Sequence, residues 1–208
     1  MSKVLFIKAN GRPVDQAVSV KLYYAFLESY KAANPNDDIE ELDLFNETLP
    51  YYDVDTLTGL FKLGKGYELT GTEQEKADNV NKYLEQFLAA DKIVVAFPLW
   101  NFTVPAQLLT YLTYVAQAGK TFAYTAEGPK GLISDKKVAL LNARGGVYSE
   151  GPAAAIEMSL NYVKTIFNFF GVQNSTTVVV EGHNQFPDRG QAIIEEGLEK
   201  AKAAAASF

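Results

Sequence analysis

The stretch IVVAFPLWNFTVP, residues 93–105, decides how the rest of the chain is interpreted. Its first four residues are an apolar run typical of a buried strand. Pro98 ends that strand, because proline fixes φ and donates no backbone hydrogen bond. A helical pattern follows from about Pro105, since proline is accepted in the first turn of a helix. A buried strand, a stiff aromatic turn and a helix therefore follow one another, as in the repeating unit of an α/β fold.

This alternation of strand and helix occurs five times along the chain. Apolar runs predict five strands, the second of them nearer the sheet edge because it alternates apolar with acidic residues. The strands are Val4–Ile7, Ile39–Leu44, Lys92–Phe97, Val138–Asn142 and Thr176–Val180. Helical spacing predicts helices over residues 22–30, 77–88, 105–118, 156–170 and 191–206. The pattern predicts one α/β domain, residues 1–208, with a doubly wound five-stranded parallel sheet in the order 2-1-3-4-5 and helices on both faces.

Three local features add to this outline. Thr72 and Glu75 have the spacing of a capping box at the start of a helix. Phe45–Gly71 and Gly119–Asp135 are longer connections than a minimal doubly wound fold needs. Both carry aromatic residues, and the second ends in Gly-Pro-Lys-Gly, which favours a hairpin-like excursion. Long connections are often functional, so each is expected to form a lid, a subunit contact or local packing over the sheet edge.

Composition excludes several classes of function. The net charge of −6 and the absence of any Lys/Arg block make nucleic acid or an anionic membrane surface an unsuitable partner. The chain has no cysteine and one histidine, so we expect no disulfide, no thiolate nucleophile and no metal site. No signal-peptide pattern or bilayer-spanning apolar run is present, and a cytoplasmic protein is expected.

The sheet order brings two unusual turns to one crevice. Its switch point lies between strands one and three, where ligands of open α/β sheets bind. The first turn, Ala9–Ser19, has neither a GxGxxG nor a P-loop pattern. It precedes a helix amino terminus, so it is either an ordinary loop or an anion site with Arg12, Gln16 and Ser19 as side-chain candidates. The turn after strand three offers the flat faces of Trp100 and Phe102 and the amide of Asn101, which suit a flat heterocycle with polar edges, such as a flavin.

A third turn, Asn142–Pro152, follows strand four. Gly145 and Gly146 let the backbone approach a ligand closely, and Tyr148 could cover one face of a ring. The alternative is a flexible turn with a surface arginine. His183 follows the last strand and is expected to be a solvated or hydrogen-bonded residue more often than a catalytic base. No Ser/His/Asp set or carboxylate dyad stands out, which favours chemistry supplied by a cofactor.

Several long strings in order resemble the FMN-dependent NADH azoreductase and quinone reductase group of flavodoxin-like enzymes, in particular its Bacillus-type members. The strings cover nearly the whole chain: KVLFIKANGRP (3–13), LDLFNETLPYYD (42–53), QFLAADKIVVAFPLWNFTVPAQL (86–108), AGKTFAYTAEGPKGL (118–132), ARGGVYSEGPA (143–153) and FFGV (169–172).

The resemblance implies three sets of FMN-binding residues. The phosphate set is Asn10, Gln16, Ala17, Val18 and Ser19. The isoalloxazine set is Pro98, Leu99, Trp100, Asn101 and Phe102. The pyrimidine-edge set is Ala143, Arg144, Gly145, Gly146 and Tyr148. Ala9 and Ala17 stand where some relatives have serines, so phosphate donation would depend on Asn10, Gln16, Ser19 and backbone amides.

The resemblance also implies an activity and an assembly. Members are homodimers with two flavins, each site bordered by both subunits. Phe61 and Tyr124, with Trp100 and Phe102, would border the acceptor. NADH would reduce FMN and leave, and a quinone or azo compound would then accept two electrons in a ping-pong cycle. No catalytic side chain is needed, and the lack of a basic cluster for a 2′-phosphate favours NADH over NADPH.

Two other classes of function stay open on sequence alone. A flavodoxin-type electron carrier would bind FMN without a substrate site of its own, but such carriers usually have a Thr-Gly-rich phosphate loop where this chain has Asn-Gly-Arg-Pro. A cofactor-free interaction domain of the same fold would be purified without flavin colour.

Overall fold

The structure, a computed structural model, describes residues 1–208 and is built on a parallel sheet. The sheet has five strands in the order β2-β1-β3-β6-β7, which confirms the predicted strands and their order. The strands are β1 (Lys3–Lys8), β2 (Asp38–Asp43), β3 (Lys92–Pro98), β6 (Lys137–Arg144) and β7 (Thr176–Glu181). β1 and β3 pair in register from Val4 opposite Lys92 to Lys8 opposite Ala96, so their carboxyl ends lie side by side.

Helices cover both faces of the sheet, as predicted. They are α1 (Val18–Ala33), α2 (Val54–Lys65), α3 (Gly71–Ala89), α4 (Ala106–Val115), α5 (Leu160–Phe169) and α6 (Gly190–Ala206). Val4 and Phe6 pack with α1 and α6 in one apolar cluster, whereas Leu5 and Ile7 pack with α3, α4 and α5 in another. This division follows from the alternation of side chains along a strand, which sends successive residues to opposite faces. None of the helices is both long and apolar enough to span a bilayer.

The capping box lies two residues before its predicted position. Thr70, not Thr72, is the N-cap of α3, and its hydroxyl accepts from the backbone amide of Glu73 at 3.2 Å. The Glu73 carboxylate accepts from the Thr70 amide at 2.8 Å. The prediction of Thr72 and Glu75 was therefore wrong in register, because Thr70 and Glu73 have the same spacing.

The two long connections contain ordered structure. Phe45–Gly71 includes α2, a helix that the sequence pattern did not predict, and Glu73 holds it to α3 by accepting from the Lys62 ammonium at 2.7 Å. The second connection forms a two-stranded hairpin, β4 (Phe122–Thr125) and β5 (Gly128–Gly131), which confirms the expected excursion. The predicted helices over 105–118 and 156–170 are shorter than expected, since α4 ends at Val115 and α5 begins only at Leu160, after a 3₁₀ turn at Pro152–Ile156.

Candidate functional site

A cavity of about 500 Å³ opens at the switch point of the sheet. The chain leaves β1 for α1 on one face and leaves β3 for α4 on the other, and the cavity lies between these exits. Many of the residues predicted to bind a ligand line it: Asn10, Gln16, Ala17, Val18, Ser19, Pro98, Leu99, Trp100, Ala143 and Gly145. The structure therefore brings the first turn, the aromatic turn and the glycine turn together around one space.

The first turn ends in a helix terminus with free donors. Ala17 is the N-cap of α1, in an extended conformation, and no side chain caps the helix. The amides of Val18 and Ser19 donate to no protein atom, because the first intrahelical bonds in this turn are made by Val20 and Lys21 to the Ala17 carbonyl. No acidic residue occupies the first helical turn. The free amides and the helix dipole together make this terminus suitable for an anion.

Two buried side chains fix the shape of the first turn. Asn10 is 3% exposed, and its carbonyl oxygen accepts from the Arg12 amide at 3.0 Å. Its amide nitrogen donates to the hydroxyl of Ser19 at 2.9 Å. A hydroxyl that accepts this bond still has its own proton to donate, so Ser19 remains a donor toward the cavity. Asn10 thus sets the turn and orients Ser19.

The aromatic turn is held in an unusual backbone conformation. Trp100 and Thr103 exchange backbone hydrogen bonds at 2.9 and 3.0 Å across two residues with positive φ, 47° at Asn101 and 70° at Phe102. The left-handed region is uncommon for residues other than glycine and is a clear outlier for a bulky residue such as phenylalanine. The Phe102 carbonyl accepts from the Met158 amide at 2.8 Å, which fixes the turn from outside. Strain held in this way is typical of ligand sites.

The indole of Trp100 forms part of the cavity wall. It is 37% exposed, and its ring lies edge-on to that of Phe45 at a centroid distance of 6.1 Å. Asn101 and Phe102 follow it in the turn but do not line the cavity, and Phe102 contacts the ring of Tyr148 instead. Trp100 is therefore the side chain of this turn best placed for a flat ring.

The glycine turn offers main-chain donors, whereas its arginine points elsewhere. The amides of Gly145 and Gly146 have no partner in the protein. Arg144 is 4% exposed and lies 3.3 Å from Glu181 and 3.8 Å from Glu157, and its Nε donates to the Asn142 side chain at 2.6 Å. Its side chain lines a second cavity of about 620 Å³ rather than the first. Only its main chain is left for the pyrimidine-edge role that the sequence suggested.

Arg144 organises this turn through Glu181. The Glu181 carboxylate accepts from Arg144 and from the amides of Tyr148 and Ser149, at 2.9 and 3.1 Å. Tyr148 lines the second cavity, and Gly146 lines neither cavity. The buried arginine therefore acts on the shape of the turn that carries Gly145.

The cavity has further lining residues outside the three predicted FMN-binding sets. They are Arg12, Asp15, Lys21, His183, Asn184 and Ile194. The sequence suggests Arg12 as an anion partner, and His183 as a solvated or hydrogen-bonded residue more often than a base. No sequence motif marks the other lining residues. Lys21 has the pattern of an ordinary helix residue, and residues 183–194 belong to the segment after the last strand. The pairing of β6 with β7 brings that last turn to the cavity.

Phe61 and Tyr124 lie apart from the cavity of their own chain. Phe61 is 60% exposed on α2, with its ring 6.4 Å from that of Tyr67. Tyr124 is 75% exposed on the hairpin, with its ring 5.5 Å from that of Phe122. Neither side chain lines either cavity.

Comparison with known proteins gives consistent matches along the whole chain. The family model of the flavodoxin-like fold matches residues 2–205. The chain is 64% identical over 208 residues to an FMN-dependent NADH:quinone oxidoreductase of Brevibacillus brevis, and 62% identical to one of Halalkalibacterium halodurans, with 100% of each chain covered. Its fold matches the crystal structure of an azoreductase from Bacillus anthracis with a TM-score of 0.98 at 62% identity, covering 100% of both chains. An FMN-dependent NADH-azoreductase of the same species, solved in complex with FMN, matches with a TM-score of 0.86 at 32% identity, covering 99% of this chain and 100% of that one.

Proposed function

The chain belongs to the flavodoxin-like fold family and, within it, to the FMN-dependent NADH:quinone oxidoreductases, and on that premise we propose that it binds FMN and reduces quinones with NADH. We propose that it also cleaves aromatic azo compounds reductively to amines, as the azoreductase relatives suggest. An azo bond needs four electrons to give two amines, so this reaction consumes two NADH.

The observation that carries the proposal is the combination of two sets of main-chain donors and one aromatic ring around one cavity. Free amides at the start of α1 suit a phosphate, Trp100 suits a flat ring, and the amide of Gly145 suits a carbonyl oxygen or nitrogen of a ring edge. The volume of about 500 Å³ is in the usual range for a cofactor site, about 300–1,000 Å³. The residues present therefore fit FMN.

The protein's own contribution is binding and orientation. Val18 and Ser19 would hold the phosphate with main-chain donors, and each charge-assisted hydrogen bond is worth about 1.5–3 kcal/mol. Leu99, whose amide donates to the Ala143 carbonyl at 2.8 Å, keeps the aromatic turn against the glycine turn. When bound, FMN supplies the redox chemistry by accepting a hydride from NADH and delivering two electrons to the acceptor. No side chain is assigned as an acid or base.

We propose that the protein is a homodimer whose acceptor site is completed across the interface. Phe61 and Tyr124 are exposed and absent from the cavity of their own chain, yet their position in the sequence resembles that of residues bordering the acceptor in the family. Other large apolar side chains are exposed on α2 and near the aromatic turn, including Val54, Leu57 and Met158. Exposed apolar surface of this kind marks interaction sites. We place the enzyme in the cytoplasm, where its donor NADH is produced.

The decisive experiment measures NADH oxidation with menadione as the acceptor. Purified protein with FMN and NADH is expected to oxidise NADH far faster than FMN alone at the same concentration. Lys200→Ala, which changes a cation lining the second cavity only, is a matched control that should behave like the natural protein. Rates no higher than those of free FMN would contradict the proposed function.

A further inference from the structure

The turn that follows β7 is fixed against the glycine turn of the site. The amides of Asn184 and Gln185 both donate to the Gly145 carbonyl, at 3.0 and 3.1 Å, and the Gly182 amide donates to the Gly146 carbonyl at 3.2 Å. On its other side this turn meets α6, where a Cβ on Gly190 would lie only 2.5 Å from the His183 carbonyl oxygen. The backbone of His183 is therefore held closely on two sides.

The His183 imidazole lines the FMN cavity and is incompletely hydrogen-bonded. Its Nδ1 is shielded from solvent and has no partner in the protein. Because Nδ1 is shielded, a ligand in the cavity can meet the imidazole only at its other ring nitrogen, Nε2, which also has no partner in the protein.

His183 lines the same cavity as Val18 and Ser19, the residues proposed to hold the phosphate. Lys21, at the end of the first turn of α1, lines the same cavity, and its charge acts on His183. Burial, and after it the charge of Lys21, lower the pKa of His183, so the imidazole is neutral at about pH 7 without a ligand. The other charged groups lining the cavity are Arg12 and Asp15. A phosphate dianion beside these groups would favour the protonated imidazole.

We propose that His183 is a phosphate-binding residue that, together with Lys21, makes the site select FMN over riboflavin. The inference rests on the proposed function only in taking FMN as the cofactor. Ala17 offers no hydroxyl at the N-cap of α1, so side-chain donation to the phosphate from that position is absent. His183 supplies a donor from the turn after β7, where its backbone is fixed.

The test compares the dissociation constants of FMN and riboflavin for the natural protein, His183→Leu and His183→Gln. Trp100 is the only tryptophan in the chain and lines the cavity, so quenching of its fluorescence reports binding of either flavin. We expect His183→Leu to weaken FMN binding by about 10- to 100-fold, because one charge-assisted hydrogen bond is lost. Riboflavin binding should weaken by less than about 2-fold. His183→Gln, which keeps a donor without the charge, should fall between the two.

Two results would overturn the proposal. An equal loss of FMN and riboflavin would assign His183 to packing, and unchanged binding of both would remove it from the site. Lys200→Ala removes a cation outside the cavity and serves as the control. It should leave the dissociation constants of FMN and riboflavin unchanged. The menadione assay of the natural protein is independent of this comparison, so failure of the proposed function and failure of the His183 role give different results.

Discussion

Ala17 occupies the N-cap of α1, although alanine has no side-chain group that can cap a helix. Ser, Thr, Asp and Asn are preferred at an N-cap because their oxygens accept from the free amides of the first turn. Ala17 leaves those amides unpaired, in an extended conformation that a capping residue could adopt. The free amides therefore reduce local stability while keeping donors available to a ligand, a compromise common at functional sites.

This compromise predicts opposite effects of one substitution on stability and on binding. Ala17→Asp should stabilise the FMN-free protein by about 1 kcal/mol by capping α1. It should weaken FMN binding by at least about 100-fold, because the new carboxylate accepts hydrogen bonds from the free amides and repels the phosphate. Thermal unfolding without FMN and flavin titration would measure the two effects.

Ala17→Asn is the matched control, because it can cap the helix without adding a charge. It should give a similar gain in stability and a smaller loss of affinity, about 10-fold. Unchanged FMN affinity in the aspartate variant would show that the phosphate lies away from α1.

Glu157 is a buried carboxylate that performs the capping of α5. It is 4% exposed and accepts from the Ser159 hydroxyl at 2.6 Å, the Leu160 amide at 2.8 Å and the Asn161 amide at 3.0 Å. Burial alone would raise the pKa of Glu157, but these hydrogen bonds and the nearby Arg144 lower it overall. The negative charge of the same carboxylate compensates the positive charge of Arg144, the residue that shapes the glycine turn.

A lowered pKa has a defined consequence for stability against pH. The charged form of Glu157 stabilises the fold above the unfolded pKa of about 4.3, and this contribution is lost as the pH falls through the lower folded pKa. Glu157→Gln should therefore destabilise the protein by about 2–3 kcal/mol at about pH 7 and by clearly less at about pH 3. Urea unfolding at the two pH values measures this. If Glu157→Gln lowered the free energy of unfolding by the same amount at both pH values, the result would contradict an ionic role for Glu157.

At the scale of elements, α2 contains two glycines in very different surroundings. A Cβ on Gly59 would lie 2.5 Å from the Glu73 carbonyl oxygen, so α2 packs on α3 through a glycine contact. A Cβ on Gly64 would have nothing within 4 Å. One glycine permits close packing, and the other only lowers the helix propensity.

Alanine at these two positions should therefore have effects of opposite sign. Gly59→Ala should destabilise the docking of α2 by about 1–3 kcal/mol. Gly64→Ala should stabilise the helix by about 0.5–1 kcal/mol. Hydrogen exchange of the α2 amides would locate the change in each variant. Equal changes in stability in the two variants would mean that α2 does not pack on α3 through Gly59.

The sequence predicted the sheet because the central strands β1, β3 and β6 are buried apolar runs and the edge strand β2 alternates apolar with acidic residues. It did not predict α2, whose apolar residues, such as Phe61, stay exposed and whose two glycines weaken the helical pattern. The capping box was displaced because two Thr–Glu pairs share one spacing, and only the extended N-cap conformation of Thr70 distinguishes them.

The same reasoning applies to the site. Local patterns predicted the first turn and the aromatic turn, because each directly follows an apolar strand. They could not indicate that Glu157 and Glu181 would turn the Arg144 side chain away from the cavity. His183 and Lys21 reach the cavity only through the neighbouring positions of β7, α6 and α1, which depend on tertiary structure.

At the scale of the whole molecule, each chain presents the two parts of the proposed reaction site separately. The cavity proposed for FMN lies at the switch point, whereas Phe61 and Tyr124 lie on α2 and on the hairpin, outside that cavity. In the proposed two-fold dimer, the aromatic residues of one subunit border the cavity of the other, and this contact occurs twice. Sedimentation should accordingly give twice the mass of the chain.

Mixed dimers test whether each site is shared. One subunit carries Ala17→Asp, which impairs FMN binding, and the other carries Phe61→Ala with Tyr124→Ala, which impairs the acceptor side. If each site combines the cavity of one chain with the aromatic residues of the other, a heterodimer has one site with both lesions and one with none. Heterodimers isolated with two different tags should then recover about half of the natural menadione activity, although both parent homodimers are nearly inactive. If cavity and aromatic residues act within one chain, every site keeps a lesion and the heterodimer is no more active than its parents.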